Sequence, residues 1–386
     1  MTERLYDNSK LTTFEATVTS CSPAGKYYEL TLDRSAFFPE GGGQKGDVGL
    51  IDSVKVLDTY EKNGEVVHKC TAPIEAGMQV CGEVDADIRL RRMQNHSGEH
   101  LLMGLIHRKT GFENVGFHLG SDDVTLDLDG VIPTETLIEC EFLANKAIAA
   151  DLPVTISYPD SESLKTLEYR SKLEMTENVR IVTIEGVDVC ACCAPHVAST
   201  GQIGIIKVLS AESYKGGTRL HILCGLDAFE LIRNRIDELS AISRLLSAKP
   251  EKILEQTKRL IDENDALKRQ LADIEQRKAA RIISSLSNST RGSFCVFTEG
   301  LNTASMRDIA NEAVKLTDGA AGIFCKTENG WNYIIASDSL PLRSMSAQIN
   351  SALNGKGGGS DKMLQGSCMA ERSAIEDAIK KTSIRA

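Results

Sequence analysis

The sequence contains no long hydrophobic run. No early apolar segment resembles a signal peptide, and no stretch approaches the length of a membrane span. We therefore expect a cytoplasmic protein, in which cysteines stay reduced, and the odd count of eleven cysteines fits free or metal-bound thiols better than a disulfide framework. The chain of 386 residues is 41% hydrophobic and 25% charged, which is typical of a globular protein with two or three domains.

Surplus positive charge is also missing. The net charge of −10 argues against a protein that coats nucleic acid indiscriminately. Residues 1–225 carry a net charge of −12, whereas residues 226–386 carry +2. If a polyanion binds, the C-terminal part of the chain repels it least.

Histidine is scarce, yet three of the seven histidines fall in two short motifs. The first, His96-Ser97-Gly98-Glu99-His100, lies in a stretch with the period of an α-helix, so its two imidazoles share one helix face. The second, Cys192 to His196, repeats the spacing of four with a thiol and an imidazole. Three nitrogens and one sulfur suit Zn²⁺. We predict a zinc site formed by His96, His100, Cys192 and His196.

The identity of the sulfur ligand stays open at this stage. Cys190, Cys192 and Cys193 are all candidates. The spacing of four residues to His196 favours Cys192. The alternative to a metal site is a surface histidine pair and a knot of small buried cysteines. Four protein ligands would normally close a tetrahedral zinc site, so the metal could be structural as well as catalytic or substrate-orienting.

Up to residue 87, short segments alternate apolar and polar residues, which predicts strands of a small β-barrel or folded sheet. Three consecutive glycines interrupt this pattern, followed by Gln44. Such a run is tolerated where the backbone turns tightly or approaches a ligand, and its amides can bind an oxygen-rich group. A plain hairpin turn is the alternative.

The rest of the chain predicts an α+β protein with four parts. A mixed α/β domain follows the barrel, then an almost glycine-free helical hairpin or imperfect coiled coil with Pro250 near the start of its second helix, then a small α/β domain. The spacer and the C-terminal strands permit a homodimer. The predicted boundaries are 1–87, 88–225, 226–288 and 289–386.

A second glycine run lies near the C-terminus between two lysines, Lys356 and Lys362. A loop of this composition offers backbone amides and cations to phosphate, which predicts a nucleic-acid contact at Lys356, Gly357, Gly358, Gly359 and Lys362. It is not a Walker A loop, because the lysine precedes the glycines, so nucleotide hydrolysis is not expected.

Together these motifs resemble the alanyl-tRNA editing proteins, free-standing relatives of the editing domain of alanyl-tRNA synthetase. Three motifs carry the resemblance: His96 to His100, Cys192 to His196 with the following Thr200-Gly201-Gln202-Ile203-Gly204, and Phe38-Pro39-Glu40-Gly41-Gly42-Gly43-Gln44. Cys193-Ala194-Pro195 stands where the synthetase usually has Gly-Gly-Thr, which favours the free-standing group. The C-terminal glycine run resembles the DHH-associated domain, which implies tRNA binding there.

The resemblance implies hydrolysis of the ester between serine or glycine and the 3′ end of tRNA(Ala). Gly42, Gly43 and Gln44 are the expected oxyanion donors. Thr31 or Ser35 is expected to bond the serine hydroxyl, with Gly41 and His118 near the substrate, although His118 fits a surface or core position equally well. A pocket built for that hydroxyl would spare alanine. Since residue 1 is followed almost directly by editing-like strands, we expect no aminoacylation.

Two other functions fit the same sequence. The chain could be a non-catalytic tRNA-binding module that zinc only stabilises, or a zinc hydrolase of small esters or amides. Ester hydrolysis distinguishes the enzyme from the binding module, and dependence on tRNA distinguishes the editing protein from the small-ester hydrolase.

Overall fold

The computed structural model describes residues 2–120, 123–171, 179–286 and 292–382. The chain divides into two compact units, Met1–Ala241 and Ile242–Ala386. The predicted boundary between residues 288 and 289 lies outside the described residues, and the four-part division stays a prediction. Among the described residues, every helix is too short or too polar to span a bilayer.

A closed β-barrel begins the first unit. Along its first long strand, Phe14, Ala16 and Val18 are buried and alternate with more exposed residues, because successive side chains point to opposite faces. The strands of this region are β1 (Glu3–Arg4), β2 (Thr13–Ala24), β3 (Tyr27–Leu32), β4 (Arg34–Ser35), β5 (Gly49–Ile51), β6 (Val54–Lys62), β7 (Glu65–Cys70) and β8 (Gln79–Val84). The barrel closes in the order β2-β3-β7-β6-β5-β8, and β1 pairs with β4. The predicted small barrel is present.

Helix α1 (Ala86–Thr110) follows the barrel and is the most buried helix segment of the first unit. The Asp85 side chain accepts the Ile88 N–H at 3.0 Å and caps its start, and Gly111, with a φ of 75°, ends it. Every residue from 93 to 104 is buried. Because the helix is enclosed on all sides there, its polar residues have to find partners inside the protein.

The remainder of the first unit packs around α1. Its elements are β9 (Asn114–Leu119), β10 (Val124–Leu128), α2 (Thr134–Ala149), β11 (Val154–Ser157), α3 (Ser161–Thr166), β12 (Ile181–Ile184), β13 (Asp188–Ala191), β14 (Ile206–Tyr214), β15 (Gly217–Cys224) and α4 (Gly225–Leu245). Strands β14-β15-β10-β9 form one sheet and β11-β12-β13 another. A Cβ on Gly104 would lie 2.7 Å from the Cβ of Asp188, so the glycine lets β13 approach α1 closely.

The second unit is a five-stranded sheet with helices on both faces. Its elements are α5 (Ile253–Ser285), β16 (Phe294–Glu299), α6 (Thr303–Ala313), β17 (Ala321–Thr327), β18 (Gly330–Ala336), α7 (Leu342–Ala352), β19 (Gly355–Gly359), β20 (Met363–Cys368) and α8 (Arg372–Thr382). Phe324 and Ile335 pack towards α7 and α8, whereas Ile323 and Ile334 pack towards α5 and α6. This is the small α/β fold predicted for the C-terminal residues.

Pro250 begins a 3₁₀ turn, Pro250–Lys252, that leads directly into α5, so the proline lies near the start of this helix as predicted. The glycine run predicted to form a phosphate-binding loop is instead the edge strand β19, paired with β20 in the order β16-β17-β18-β20-β19. The expectation of a loop was wrong because glycine also permits very close packing: a Cβ on Gly357 would lie 2.1 Å from the Tyr333 hydroxyl.

Candidate metal centre

The structure brings the four predicted ligands together from two distant parts of the first unit. His96 and His100 project from α1, and Cys192 and His196 follow β13. One candidate ligand atom from each lies within 4.8 Å of all the others. The Cys192 Sγ is 3.4 Å from His96 Nε2 and 3.3 Å from His196 Nε2. Tetrahedral zinc with ordinary bond lengths places its ligand atoms about 3.5 Å apart, so the four side chains fit this ion.

Each imidazole is oriented from behind through its other ring nitrogen. His96 Nδ1 lies 3.0 Å from the Gln44 side-chain oxygen, His196 Nδ1 lies 3.0 Å from Ser97 Oγ, and His100 Nδ1 lies 3.3 Å from an Asp188 carboxylate oxygen. Such partners fix the tautomer and leave Nε2 for a metal. Asp188 is itself held by two 2.8 Å hydrogen bonds from Arg170.

The charges at the cluster favour a thiolate at Cys192 and a neutral imidazole at His196. At His100, burial alone would lower the pKa, but Cys190 and Asp188 outweigh it and hold that pKa well above its usual value. Burial alone would raise the pKa of Cys192, but the neighbouring His96 and His196 outweigh it and hold that pKa well below its usual value. Burial lowers the pKa of His196 to about 3, against the opposing effect of Cys192. Metal ligands have to be a thiolate and unprotonated imidazoles. Before any ion binds, therefore, Cys192 and His196 already favour the protonation states of ligands.

The two competing cysteines occupy different places. Cys190 forms a second group with His100 and Asp188 and does not belong to the cluster of four. Cys193 is exposed, and a Cβ on Gly42 would lie 3.5 Å from its Sγ. Cys192 is thus the cysteine that meets the other three predicted ligands. Its role as a ligand remains a prediction.

The first glycine run forms a tight turn against this cluster. Gly41 and Gln44 exchange two backbone hydrogen bonds of 3.0 Å, and Gly42 and Gly43 between them have φ of 59° and 81°. Positive φ at both central positions defines a two-residue hairpin turn that glycine tolerates best. The turn lines a cavity of about 750 Å³ with His96, His100 and Cys192. The glycine run is therefore a hairpin turn, as the alternative prediction had it, and it also lines a cavity in which a ligand could approach its backbone.

Neighbouring strands hold the turn in place. Leu119 N–H donates to the Gly43 carbonyl at 3.1 Å, and Glu40 N–H donates to the Thr59 carbonyl at 2.8 Å. A carboxylate oxygen of Asp47 accepts the Phe38 N–H at 2.7 Å, and the buried Arg89 of α1 pairs with the same carboxylate. The turn and the helix of the first histidine motif are thereby connected through buried groups.

Four predicted site residues do not line the cavity. The Gln44 side chain is fully buried behind His96 and does not line the cavity. Ser35 donates to His68 Nε2 at 2.8 Å and accepts the Phe37 N–H, and Thr31 contacts the hydroxyls of Thr19 and Ser20 at 2.7 Å each. His118 is exposed on β9, whereas its neighbours Gly116 and Phe117 line the cavity. The structure therefore groups Gly41, Gly42 and Gly43 with the candidate ligands on the cavity. Gln44 contacts His96 but lies outside the cavity lining, as do Thr31, Ser35 and His118.

The predicted tRNA-contacting residues all lie in the second unit. Lys356, Gly357, Gly358 and Gly359 belong to the exposed edge strand β19. Lys362 follows in the turn to β20 and lies 3.7 Å from Asp338. None of these five residues is among those that line the cavity described above.

Several residues near the candidate ligands were not predicted from the sequence. Ser97 and Glu99 lie between His96 and His100, so helix geometry could have predicted that they lie close to the two histidines. Asp188 precedes the cysteines on the same strand, where an acidic residue in an otherwise apolar segment is a signal. Nothing in the sequence pointed to Arg170, because only the fold brings it to Asp188.

Fold and site together define a two-unit α+β protein with a candidate His₃Cys metal centre opening on a cavity. Two stretches match the models of known families. Residues 179–221 match "Threonyl and Alanyl tRNA synthetase second additional domain", and residues 6–88 match "tRNA synthetases class II (A)". The first stretch contains Cys192 and His196, and the second contains the glycine turn.

Similarity to individual proteins extends much further along the chain. It is 28% identical over 398 residues to alanyl-tRNA editing protein AlaX-L of Pyrococcus horikoshii, covering 98% of this chain and 97% of that protein. It is 29% identical over 372 residues to alanine–tRNA ligase of Pyrococcus abyssi, covering 91% of this chain and 41% of the ligase. The resemblance to alanyl-tRNA editing proteins is confirmed along nearly the whole chain.

One solved structure is also similar in part. The C-Ala domain of Aquifex aeolicus alanyl-tRNA synthetase matches 25% of this chain and 98% of its own length, with 17% identity and a TM-score of 0.22. A likeness of this size supports no conclusion about fold or function.

Proposed function

We propose that the protein edits alanyl-tRNA by hydrolysing the ester between a wrong amino acid, serine or glycine, and the 3′ end of tRNA(Ala). The observation that carries this proposal is the meeting of the His₃Cys cluster and the glycine turn on one cavity. Similarity along the full length to a protein named for alanyl-tRNA editing supports the same reaction. Because aminoacylated tRNA is made and used in the cytoplasm, we place the activity there.

The proposed cofactor is zinc, held by His96, His100, Cys192 and His196. When bound, zinc would supply a positive charge that can polarise an ester or orient a polar group of the substrate. Gln44, Ser97 and Asp188 would hold the three imidazoles in the tautomer that a metal requires.

The glycine turn is the proposed oxyanion site. The amides of Gly42 and Gly43 lie at the exposed tip of the turn, since its two backbone hydrogen bonds use Gly41 and Gln44. Fixed N–H donors aimed at a developing oxyanion are among the strongest contributions to ester hydrolysis. Gln44 contributes by positioning His96, because its side-chain oxygen lies 3.0 Å from the Nδ1 of that ring. Thr31 and Ser35 use their hydroxyls inside the barrel, so we do not place them against the substrate.

The second unit is the proposed tRNA-binding part. Lys356 lies on the exposed strand β19 and Lys362 lies in the turn that follows it, and both would neutralise phosphates of the tRNA backbone. A homodimer is a further proposal for this unit. Leu260, Leu267 and Ile274, spaced by seven along α5, are 51–63% exposed and would pack against a second copy.

Deacylation assays test the proposal. The purified protein should hydrolyse Ser-tRNA(Ala) or Gly-tRNA(Ala) and leave Ala-tRNA(Ala) intact, and His100→Ala should abolish turnover. Lys356→Ala serves as the matched control, because it should weaken tRNA binding and leave the cavity unchanged. Full tRNA binding without hydrolysis would identify a binding module. Activity on small aminoacyl esters with indifference to tRNA would identify a different hydrolase.

A further inference from the structure

Glu99 is a buried carboxylate in the cavity wall to which the proposed reaction has given no role. It lies between the two histidines on α1, three residues after His96, so helix geometry turns it towards the same side. Its exposed fraction is only 4%, and it lines the cavity. One carboxylate oxygen accepts a 2.5 Å hydrogen bond from the Asn114 side chain, and the other lies 3.8 Å from His100 Nε2.

The other cavity carboxylates are in a different situation. Asp7, Glu61 and Glu113 have side chains that are 42%, 48% and 51% exposed, and each lies near a basic side chain: Arg180, Arg4 and His107 respectively. Glu40 is exposed as well. No lysine or arginine of the described residues forms an ion pair with Glu99. Its nearest basic contact is His100, a proposed metal ligand, whose Nε2 lies 3.8 Å away. Because Asn114 occupies only one carboxylate oxygen, Glu99 keeps acceptor sites for a charge-assisted hydrogen bond from a cationic ligand in the cavity.

The proposed substrate supplies a suitable cation. An amino acid esterified to tRNA carries a free α-amino group next to the scissile carbonyl, and such a group is substantially protonated near neutral pH. Resting on the function proposed above, we infer that Glu99 binds the α-ammonium group of the aminoacyl ester and thereby orients its carbonyl towards the glycine turn. Asn114 fixes the carboxylate for this contact. The alternative role for Glu99 is that of a proton acceptor for the attacking water.

Binding of stable analogues separates these readings. The probes are an amide-linked analogue of 3′-seryl adenosine and its N-acetylated form, which has the same shape near the carbonyl and no positive charge. The zinc-loaded protein should bind the free amine at least about tenfold more tightly, because a charge-assisted hydrogen bond is lost on acetylation. In Glu99→Gln the two affinities should come within about threefold of each other, and Glu99→Asp should restore part of the difference.

Matched controls and kinetics complete the test. Glu113→Gln removes an exposed carboxylate of the same cavity and should leave the tenfold preference unchanged. Zinc content should stay the same in all variants. With Ser-tRNA(Ala), Glu99→Gln should raise KM about tenfold or more and change kcat by less than about fivefold.

Three results would overturn the inference. They are an undiminished preference for the free amine in zinc-loaded Glu99→Gln, a collapse of kcat with KM unchanged, and loss of zinc from that variant alone. The first would place the ammonium on another group, the second would indicate a proton acceptor, and the third a structural role at the metal centre. A wild-type protein inactive on every aminoacyl-tRNA would instead refute the proposed function, so the two failures are distinguishable.

Discussion

The two glycine runs of this chain have similar sequences and opposite structures. Gly41 to Gly43 makes a two-residue turn with positive φ at its tip, whereas Gly355 to Gly359 is an extended edge strand. In the first run, glycine supplies a backbone conformation that other residues resist. In the second, it supplies the absence of a side chain, so that Tyr333 and strand β20 can approach. Glycine is therefore needed for two different physical reasons in the two runs, and the neighbouring residues determine which reason applies in each.

A Gly→Ala substitution made once in each run tests this difference between the two runs. Gly43→Ala forces a Cβ to within 2.5 Å of the Phe117 ring at a φ of 81°, and Phe117 packs on His96 with ring centroids 4.8 Å apart. We expect kcat/KM for deacylation to fall by about a hundredfold, because displacement near an active centre costs that much. Gly358→Ala, where a Cβ meets nothing within 4 Å, should change it less than about twofold. Equal effects in the two variants would contradict the distinction.

The Asp188→Asn substitution probes the candidate metal centre that lies beside the first run. The substitution replaces the carboxylate behind His100 with a neutral amide of nearly the same size, and it also removes the charge with which Arg170 pairs. Partners of this kind contribute about 10–100-fold in metal affinity, and we expect a loss in that range in a zinc competition assay. Asp123→Asn, which changes the carboxylate beside the partly exposed His221, is the control and should leave zinc affinity unchanged.

A third prediction compares the barrel that supports the turn with the second unit, which contains no histidine. His68 is fully buried, donates from Nδ1 to the Leu30 carbonyl and accepts from Ser35. Burial lowers its pKa to about 4. The folded state therefore disfavours the protonated ring, so the stabilisation by neutral His68 is full above pH 6.5 and is lost as pH falls towards 4.

The expected size is about 2 kcal/mol of unfolding free energy lost by the barrel between pH 7 and pH 5. Hydrogen exchange of barrel amides, compared with amides of β17 and β18 in the same sample, measures it. The His68→Gln variant should lack this component of the pH dependence. A barrel with the same pH dependence in both proteins would exclude His68 as its source.

The smallest effect is expected at the edge strand. Lys356→Ala removes one exposed cation from the proposed tRNA surface. Binding of tRNA(Ala) should weaken a fewfold at moderate salt, and the slope of log affinity against log salt should fall by about one. Lys326→Ala, a lysine at the end of β17 that lies 4.8 Å from the Trp331 ring, is a useful comparison on another part of the sheet. An unchanged salt slope in Lys356→Ala would remove the lysine from the tRNA surface.

The features that could be predicted from the sequence are those with a local period or spacing. Alternation predicted the barrel strands, and the spacing of four placed His96 with His100 and Cys192 with His196. What could not be predicted are contacts that depend on the fold. Ser35 and Thr31 have hydroxyls that could bind a serine substrate. The register of the barrel strands, which the sequence does not show, turns these hydroxyls towards other protein groups instead. Gln44 follows the turn in sequence, yet its side chain lies behind His96. Gly355 to Gly359 form a strand because they pair with β20, and no local sequence pattern predicts that pairing.

X-ray absorption spectroscopy of the zinc-loaded protein tests the central claim most directly, with deacylation of Ser-tRNA(Ala) measured on the same sample. We predict one zinc per chain, surrounded by three nitrogens at about 2.0–2.1 Å and one sulfur at about 2.3 Å, with the sulfur signal lost in Cys192→Ala. A zinc shell with two or more sulfurs, or a sulfur signal that survives in Cys192→Ala, would contradict the assignment of His96, His100, Cys192 and His196 as its ligands.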